Sequence, residues 1–113
     1  MLNATKIMAY FTDDTSMNSY ATALQGFINA ITLEPSPHGG GIVSKSSQPL
    51  LNGYYVEVLF KHPTATDRDT VKSQSETELA KSEYSGKVVS ISYLKHDCHH
   101  DTPGVICGAE VTF

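Results

Sequence analysis

The stretch SMNSYATALQGFINAI, residues 16–31, decides the fold, because it carries the helical pattern of apolar residues in this chain. Apolar side chains recur there at steps of three and four, which places them along one side of a helix. They are Met17, Tyr20, Ala21, Leu24, Phe27, Ile28 and Ile31. Polar residues such as Asn18 and Gln25 fall on the opposite side. The stretch therefore predicts an amphipathic helix that a sheet must cover.

The residues before this stretch favour a helix start. Asp14, Thr15 and Ser16 each have a side-chain oxygen that can accept a hydrogen bond from a free amide of the first turn. The carboxylates of Asp13 and Asp14 also suit the positive end of the helix dipole. We therefore expect one of Asp14, Thr15 and Ser16 to be the N-cap.

Much of the remaining chain has the patterns of β-strands. Alternation is clearest in residues 54–62, YYVEVLFKH, where Tyr54, Val56, Val58 and Phe60 are expected to face the helix. Within the strand predicted at 87–94, Val89, Ile91 and Tyr93 are expected to share one face. Further strands are predicted at 6–11, central in the sheet, at 42–46, on an edge, and at 105–113.

A second, weaker helix is predicted at residues 76–84. Residues 75–78, SETE, have the capping-box pattern, and Gly86 stands where a helix often ends. Its apolar side consists of Leu79, Ala80 and Tyr84, so we expect it to lie at the surface. The element order is then β-α-β-β-α-β-β. This order predicts an α+β fold, an open antiparallel or mixed sheet of four to five strands with the helices on one face.

Length and charge narrow the classes of function. The 113 residues predict a single domain, 1–113. The net charge is −4 without a basic run, so direct nucleic-acid binding is not expected, whereas a basic protein partner suits an acidic surface. No apolar run approaches a membrane span, and residues 1–10 lack the apolar segment of a signal peptide. We expect a cytoplasmic protein, in the host cytoplasm if the protein is viral.

The densest patch of reactive side chains is HDCHHD, residues 96–101. If a strand continues through it, His96, Cys98 and His100 point to one side. Imidazole and thiolate groups at alternate positions can converge on a zinc ion, and Cys107 from the next strand can add a fourth ligand. The spacing contains neither C-x2-C nor H-x3-H, so a polar hairpin tip without metal is the competing interpretation.

The same hairpin leaves the state of the two cysteines open. A turn centred on residues 102–103 places Cys98 opposite Cys107, at a separation compatible with a disulfide. A turn centred on residues 103–104 instead pairs Cys107 with His100. Because cytosolic thiols are normally reduced, two free cysteines packed as small hydrophobic residues are the favoured state.

No motif in the sequence indicates catalysis. There is neither a G-x-S-x-G nucleophile elbow nor a phosphate-binding glycine loop. Residues 53–56, GYYV, together with the predicted β-α-β-β-α-β order, are similar to the RNA-recognition motif, whose sheet aromatics stack on bases. Asn52 stands where that motif has a basic residue, and the chain is acidic. We therefore assign it to no family.

Tyrosine is the residue that most favours a binding function. The chain has six tyrosines and no tryptophan, and Tyr10, Tyr54, Tyr55 and Tyr93 all fall on predicted strands. Strand alternation cannot bury every one of them, and tyrosine is enriched at protein interfaces. The competing interpretation is that the tyrosines fill the interface between helix and sheet.

The sequence therefore predicts a small non-enzymatic module that binds another protein through a tyrosine-bearing acidic surface and needs no cofactor, such as a phage or mobile-element inhibitor or adaptor. The predicted contacts are Tyr55, Glu57, His99 and Asp101. The alternative is a metal-binding protein or metal-dependent enzyme with zinc at His96, Cys98, His100 and Cys107. A structural component of a virion or other assembly is a third class.

Overall fold

The computed structural model describes residues 4–31, 40–48, 53–61, 65–96 and 110–113. These residues form five strands and two α-helices in the order β-α-β-β-α-β-β, which confirms the predicted α+β class. A 3-10 helix, Ser82–Tyr84, lies between the second helix and the fourth strand. The elements are β1 (Ala4–Phe11), α1 (Asp14–Ala30), β2 (Gly40–Gln48), β3 (Gly53–Lys61), α2 (Ala65–Leu79), β4 (Val88–His96) and β5 (Glu110–Thr112).

The strands form one sheet in the order β2-β3-β1-β4-β5, and every neighbouring pair is antiparallel. As predicted, β1 is central and β2 lies on an edge. Strands β1 and β2 run parallel with β3 between them, and β3 and β4 run parallel with β1 between them. The first four strands thus have the split β-α-β arrangement. Many unrelated functions use this topology, so it indicates none by itself.

The hydrophobic core lies between α1 and one face of the sheet. The predicted helical stripe is confirmed, since Tyr20 and Leu24 are fully buried and Phe27 and Ile31 pack against the core from its edge. The sheet contributes Ile7, Ala9 and Phe11 from β1 and Val56, Val58 and Phe60 from β3. Tyr54, the fourth residue of the predicted β3 face, is partly buried against the same cluster. Removing this apolar surface from water is the main favourable term in folding.

Three aromatic rings join the sheet to the helical layer. The ring centroid of Phe11 on β1 lies 5.3 Å from that of Tyr20 on α1 and 6.0 Å from that of Tyr84 in the 3-10 helix. Tyr20 and Tyr84 meet edge to face at 6.2 Å. These separations lie in the favourable range for aromatic pairs. The triangle fixes β1, α1 and the segment before β4 to one another.

The predicted N-cap of α1 is wrong. Asp13 caps the helix, and its Oδ1 accepts a hydrogen bond from the Ser16 backbone N–H at 2.8 Å. The helix begins at Asp14, three residues before Met17, where the apolar stripe begins, so Asp14, Thr15 and Ser16 lie in its first turn. The Ser16 amide, aided by the Lys87 ammonium at 3.3 Å, lowers the pKa of Asp13. The cap thereby also ties α1 to the turn before β4.

The predicted bounds of the second helix, 76–84, are also wrong. Helix α2 begins at Ala65, and Ser75 is buried inside it, where its Oγ donates to the Val71 carbonyl at 2.8 Å. Val71 is fully buried and anchors the helix. Tyr84 belongs to the 3-10 helix and is buried in the core, whereas its neighbours Ser82 and Glu83 are exposed. The sparse apolar content of α2 explains why periodicity did not detect its first half.

A β-bulge interrupts the pairing of β1 with β4. Tyr10 pairs with Ser90 and Phe11 pairs with Val88, so Val89 is the additional residue. Val88, Ile91 and Tyr93 pack against the core, whereas Val89 is 55% exposed. The expectation that Val89 shares a face with Ile91 and Tyr93 is therefore wrong. In the described part of the chain, neither α-helix has the length and apolar character to cross a membrane.

Two glycines allow the same substitution to be tested with opposite expected signs. Gly86 has φ +71°, so Gly86→Ala should lower the free energy of unfolding by about 1 kcal/mol through backbone strain. Gly26 lies inside α1, and an added Cβ there would meet nothing within 4 Å. Gly26→Ala should therefore raise the free energy of unfolding by up to about 1 kcal/mol. Urea denaturation of both variants measures the free energy of unfolding. Equal changes in the two variants would contradict a left-handed backbone at Gly86 and a helical backbone at Gly26.

Candidate functional site

The candidate site lies on the sheet face that points away from the helices, which we call the outer face. Because α1 and α2 pack on the opposite face, neither described helix covers it. Strand alternation and register assign to it the residues between the core positions. Those with described side chains are Lys6, Met8, Tyr10, Tyr55, Glu57, Leu59, Ser90, Ser92, Leu94 and Thr112.

A pair of tyrosines stands on this face near one end of two adjacent strands, since Tyr10 is the last residue but one of β1 and Tyr55 is the third residue of β3. Tyr10 of β1 lies directly opposite Tyr55 of β3, and their ring centroids are 4.6 Å apart with 33° between the planes. Gly53 makes this placement possible, because a Cβ at residue 53 would lie 2.6 Å from Cδ1 of Tyr10. The Tyr10 ring therefore rests against the glycine backbone while it contacts Tyr55.

Polar contacts extend this pair along the sheet. The Tyr55 hydroxyl donates to Oε2 of Glu57 at 3.0 Å. The Lys6 ammonium lies 3.4 Å from Oε1 of the same carboxylate, and the two side chains are 24% and 34% exposed, respectively. A ring contact thus joins Tyr10 to Tyr55, a hydrogen bond joins Tyr55 to Glu57, and an ion pair joins Glu57 to Lys6. We call these four residues the outer-face cluster.

The electrostatics of the cluster suit binding more than catalysis. Burial, reinforced by the hydrogen bond to Glu57 and the negative charge of that carboxylate, raises the pKa of Tyr55 well above its usual range. The phenol is therefore protonated at neutral pH and is not an activated nucleophile. The cluster can therefore offer a ligand aromatic surface and the carboxylate oxygens of Glu57. The half-buried side chains of Met8 and Leu59 lie next to Glu57 on the same face.

Acidic residues are concentrated on the helical side of the molecule. Described residues 12–31 and 65–87 hold seven carboxylates and four basic side chains, whereas the outer-face cluster holds one of each. The tyrosine-bearing surface and the acidic surface, which the sequence predicted as one, therefore lie on opposite sides. The carboxylates are Asp13, Asp14, Asp67, Asp69, Glu76, Glu78 and Glu83, and the basic residues are Arg68, Lys72, Lys81 and Lys87.

The structure brings together two of the residues predicted to contact a partner. Tyr55 and Glu57 share the outer face and a hydrogen bond, whereas His99 and Asp101 lie outside the described residues. Sequence reasoning missed Tyr10, Lys6 and Gly53. In β1, Lys6, Met8 and Tyr10 alternate with the buried Ile7, Ala9 and Phe11, which is a signal for a second face. Because Met8 and Tyr10 are themselves largely hydrophobic, the same pattern also fits a strand that is apolar on both faces.

The predicted metal and disulfide sites fall largely beyond the part of the chain that the structure describes. His96 ends β4, and Cys98, His100 and Cys107 lie outside the described residues. The antiparallel pairing of β4 with β5 is present, and His96 pairs with Glu110. This register differs by one residue from each of the two registers considered for the cysteines. Among described residues, no group of three or more His, Cys, Asp or Glu side chains could hold a metal ion.

Gly53→Ala should separate the tyrosine pair without unfolding the domain. The added methyl group would require the Tyr10 ring to turn away from the β3 backbone, which removes the Tyr10–Tyr55 contact. We expect chemical-shift changes concentrated at the rings of these two tyrosines in NMR spectra. Unchanged ring shifts in a folded Gly53→Ala protein would contradict the packing described here.

The pH dependence of Tyr55 tests its hydrogen bond. Because its pKa is raised in the folded state, it contributes stability that is present below about pH 10 and is lost as the pH rises further. Glu57→Gln removes the charge but not the burial, so the pKa should fall yet stay above its usual value. NMR titration of the tyrosine ring carbons measures the pKa of Tyr55 in the parent protein and in the Glu57→Gln variant. A Tyr55 pKa unchanged by the substitution would contradict the contact.

Comparison of this chain with known proteins found no matching family model, no significant match among curated proteins and none among solved structures.

Proposed function

We propose that this protein is a non-enzymatic module that binds another protein through the outer-face cluster and the surface around it. The observation that carries the proposal is the tyrosine pair on the two adjacent strands β1 and β3, on the face that neither described helix covers. Tyrosines at the centre of a patch, with a polar group at hand, are the side chains that dominate binding energy in protein interfaces.

The composition of the outer face supports a protein partner. Met8 lies beside Tyr10 along β1, and Leu59 and Leu94 flank Lys6 at the other end of the cluster, so apolar area continues along the sheet. Ser90, Ser92 and Thr112 supply exposed polar groups toward one side. An apolar and aromatic centre beside a polar margin is the usual anatomy of a protein–protein interface. Methionine and the aromatic residues are themselves enriched in such interfaces.

The electrostatics favour a protein over a nucleic acid. Stacked aromatics on an open sheet are also the platform on which single-stranded nucleic acids bind. Such binding depends on basic residues that neutralise phosphates. Here the one basic side chain of the cluster, Lys6, is paired with Glu57, and the whole chain carries −4. A carboxylate beside the rings repels a phosphate backbone.

This function requires no catalytic group and no cofactor. An inhibitor or adaptor, of the kind that phages and mobile elements encode, acts by occupying a surface of its target. The protonated Tyr55 phenol and the paired Glu57 carboxylate are suited to such a contact, since both are held in place before a partner arrives. Groups that are already ordered lose less conformational entropy when they bind.

Site-specific photo-crosslinking in the native cell tests the proposal. Ser90 is exposed on the outer face and pairs with Tyr10, whereas Thr77 is exposed on α2. We expect p-benzoylphenylalanine at residue 90 to crosslink a discrete protein, with Tyr55→Ala in the same chain reducing the yield at least five-fold. The same probe at residue 77 is the matched control. Equal products at both positions, or a nucleic-acid product at residue 90, would overturn the proposal.

A further inference from the structure

We infer that the outer-face cluster receives the guanidinium group of an arginine from a basic segment of the partner protein, with the guanidinium stacked beside Tyr10 and Tyr55 and hydrogen-bonded to Glu57. This inference rests on the proposed function and specifies the chemistry of the partner. Three features carry it, namely the aromatic pair, the unfilled hydrogen-bonding capacity of the carboxylate and the sign of the charge on the chain.

The aromatic pair offers an ordered surface for a planar cation. The ring of Tyr10 is confined by Gly53 on one side and by Tyr55 at 4.6 Å on another, so few conformations remain to be lost on binding. The face of a tyrosine ring carries negative electrostatic potential and attracts a cation that lies over it. Both rings are only partly buried in this protein, which leaves aromatic surface accessible.

The Glu57 carboxylate supplies the hydrogen-bond acceptor. A carboxylate has about four acceptor positions on its two oxygens. Tyr55 occupies one position on Oε2, and Lys6 lies near Oε1 at an ion-pair distance of 3.4 Å. The remaining positions can accept N–H groups. The side chain is about one-third exposed, so a donor from outside can reach it without displacing Tyr55.

Arginine fits this arrangement better than lysine. The guanidinium is planar and can stack on a ring while it donates two parallel hydrogen bonds, whereas an ammonium is a compact, strongly hydrated point charge. The carboxylate and the adjacent tyrosine ring lie next to each other along β3, which provides the two contacts in one place. An acidic partner is disfavoured, since the Glu57 carboxylate beside the Tyr55 ring repels a second carboxylate.

The charge of the whole chain favours the same partner. A net charge of −4 attracts a basic segment at long range and speeds its encounter. The acidic side chains of the helical layer add to that long-range field. They do not form the aromatic site, so they provide attraction without selectivity between arginine and lysine. Selectivity for arginine is therefore the signature of the outer-face cluster.

Titration of the intact protein with octa-arginine and octa-lysine peptides, followed by NMR, tests the inference. We expect octa-arginine to bind at least five-fold more tightly than octa-lysine and to shift the signals of Tyr10, Tyr55 and Glu57. Glu57→Gln should weaken octa-arginine binding about ten-fold. Tyr55→Leu removes the aromatic ring and should weaken it about five-fold.

Glu76→Gln is the matched control, because Glu76 is also paired with a lysine, Lys72 at 3.0 Å, but lies on α2. It should leave octa-arginine binding within two-fold of the parent protein. Equal affinity for the two peptides, or an equal loss in Glu76→Gln and Glu57→Gln, would overturn the inference. A ten-residue oligothymidine that shifts the same residues more strongly would also overturn it.

The two proposals can fail separately. If the peptides show no preference while residue 90 still crosslinks a partner protein and residue 77 does not, the protein-binding function stands and the arginine anchor is wrong. If both residues crosslink equally, the docking surface itself is wrong.

Discussion

The packing of Tyr20 against Phe11 and Tyr84 is the contact on which the rest of this fold depends. It joins the main helix to the central strand and to the segment that leads into β4. Phe11 is also the last residue of β1, two residues before Asp13, which caps α1. The position of the helix and the start of β4 are thus fixed together.

The helices bury one face of the sheet, and neither described helix covers the other. The core face holds β-branched and aromatic side chains whose volumes are constrained by close packing. On the outer face, Tyr10, Tyr55 and Glu57 contact one another and no described helix, so their identities are not dictated by the core. Their mutual order comes from the pairing of β1 with β3 and from the contacts among them. A rigid scaffold thereby presents groups that the fold itself does not need.

The parts of the fold that could be predicted are those in which burial imposes a period on the sequence. The stripe of α1 and the alternation of Val56, Val58 and Phe60 are of this kind. Helix α2 could not be bounded, because Val71 and Leu79 are its main apolar contacts and its inner face also carries Ser75 and Glu78. Polar residues on a buried face give no periodic signal.

The candidate site was only half predictable for a related reason. Tyr55 and Glu57 are two residues apart in one strand, so alternation places them on the same face. The contact with Tyr10 depends on the pairing of β1 with β3, which is set by packing over the whole sheet and not by either strand alone. Gly53 gains its role only once that pairing exists.

Because of the bulge, β4 contains one residue, Val89, that has no pairing partner in β1. In an ordinary strand, losing one residue would move every following side chain to the wrong side of the sheet. Here Val88 and Ile91 both face the core although three positions separate them. A chain that lacked Val89 would restore strict alternation from Val88 through Ser90 to Ile91, with every inward side chain retained. Evolution can therefore shorten β4 by a single codon without rebuilding the interior.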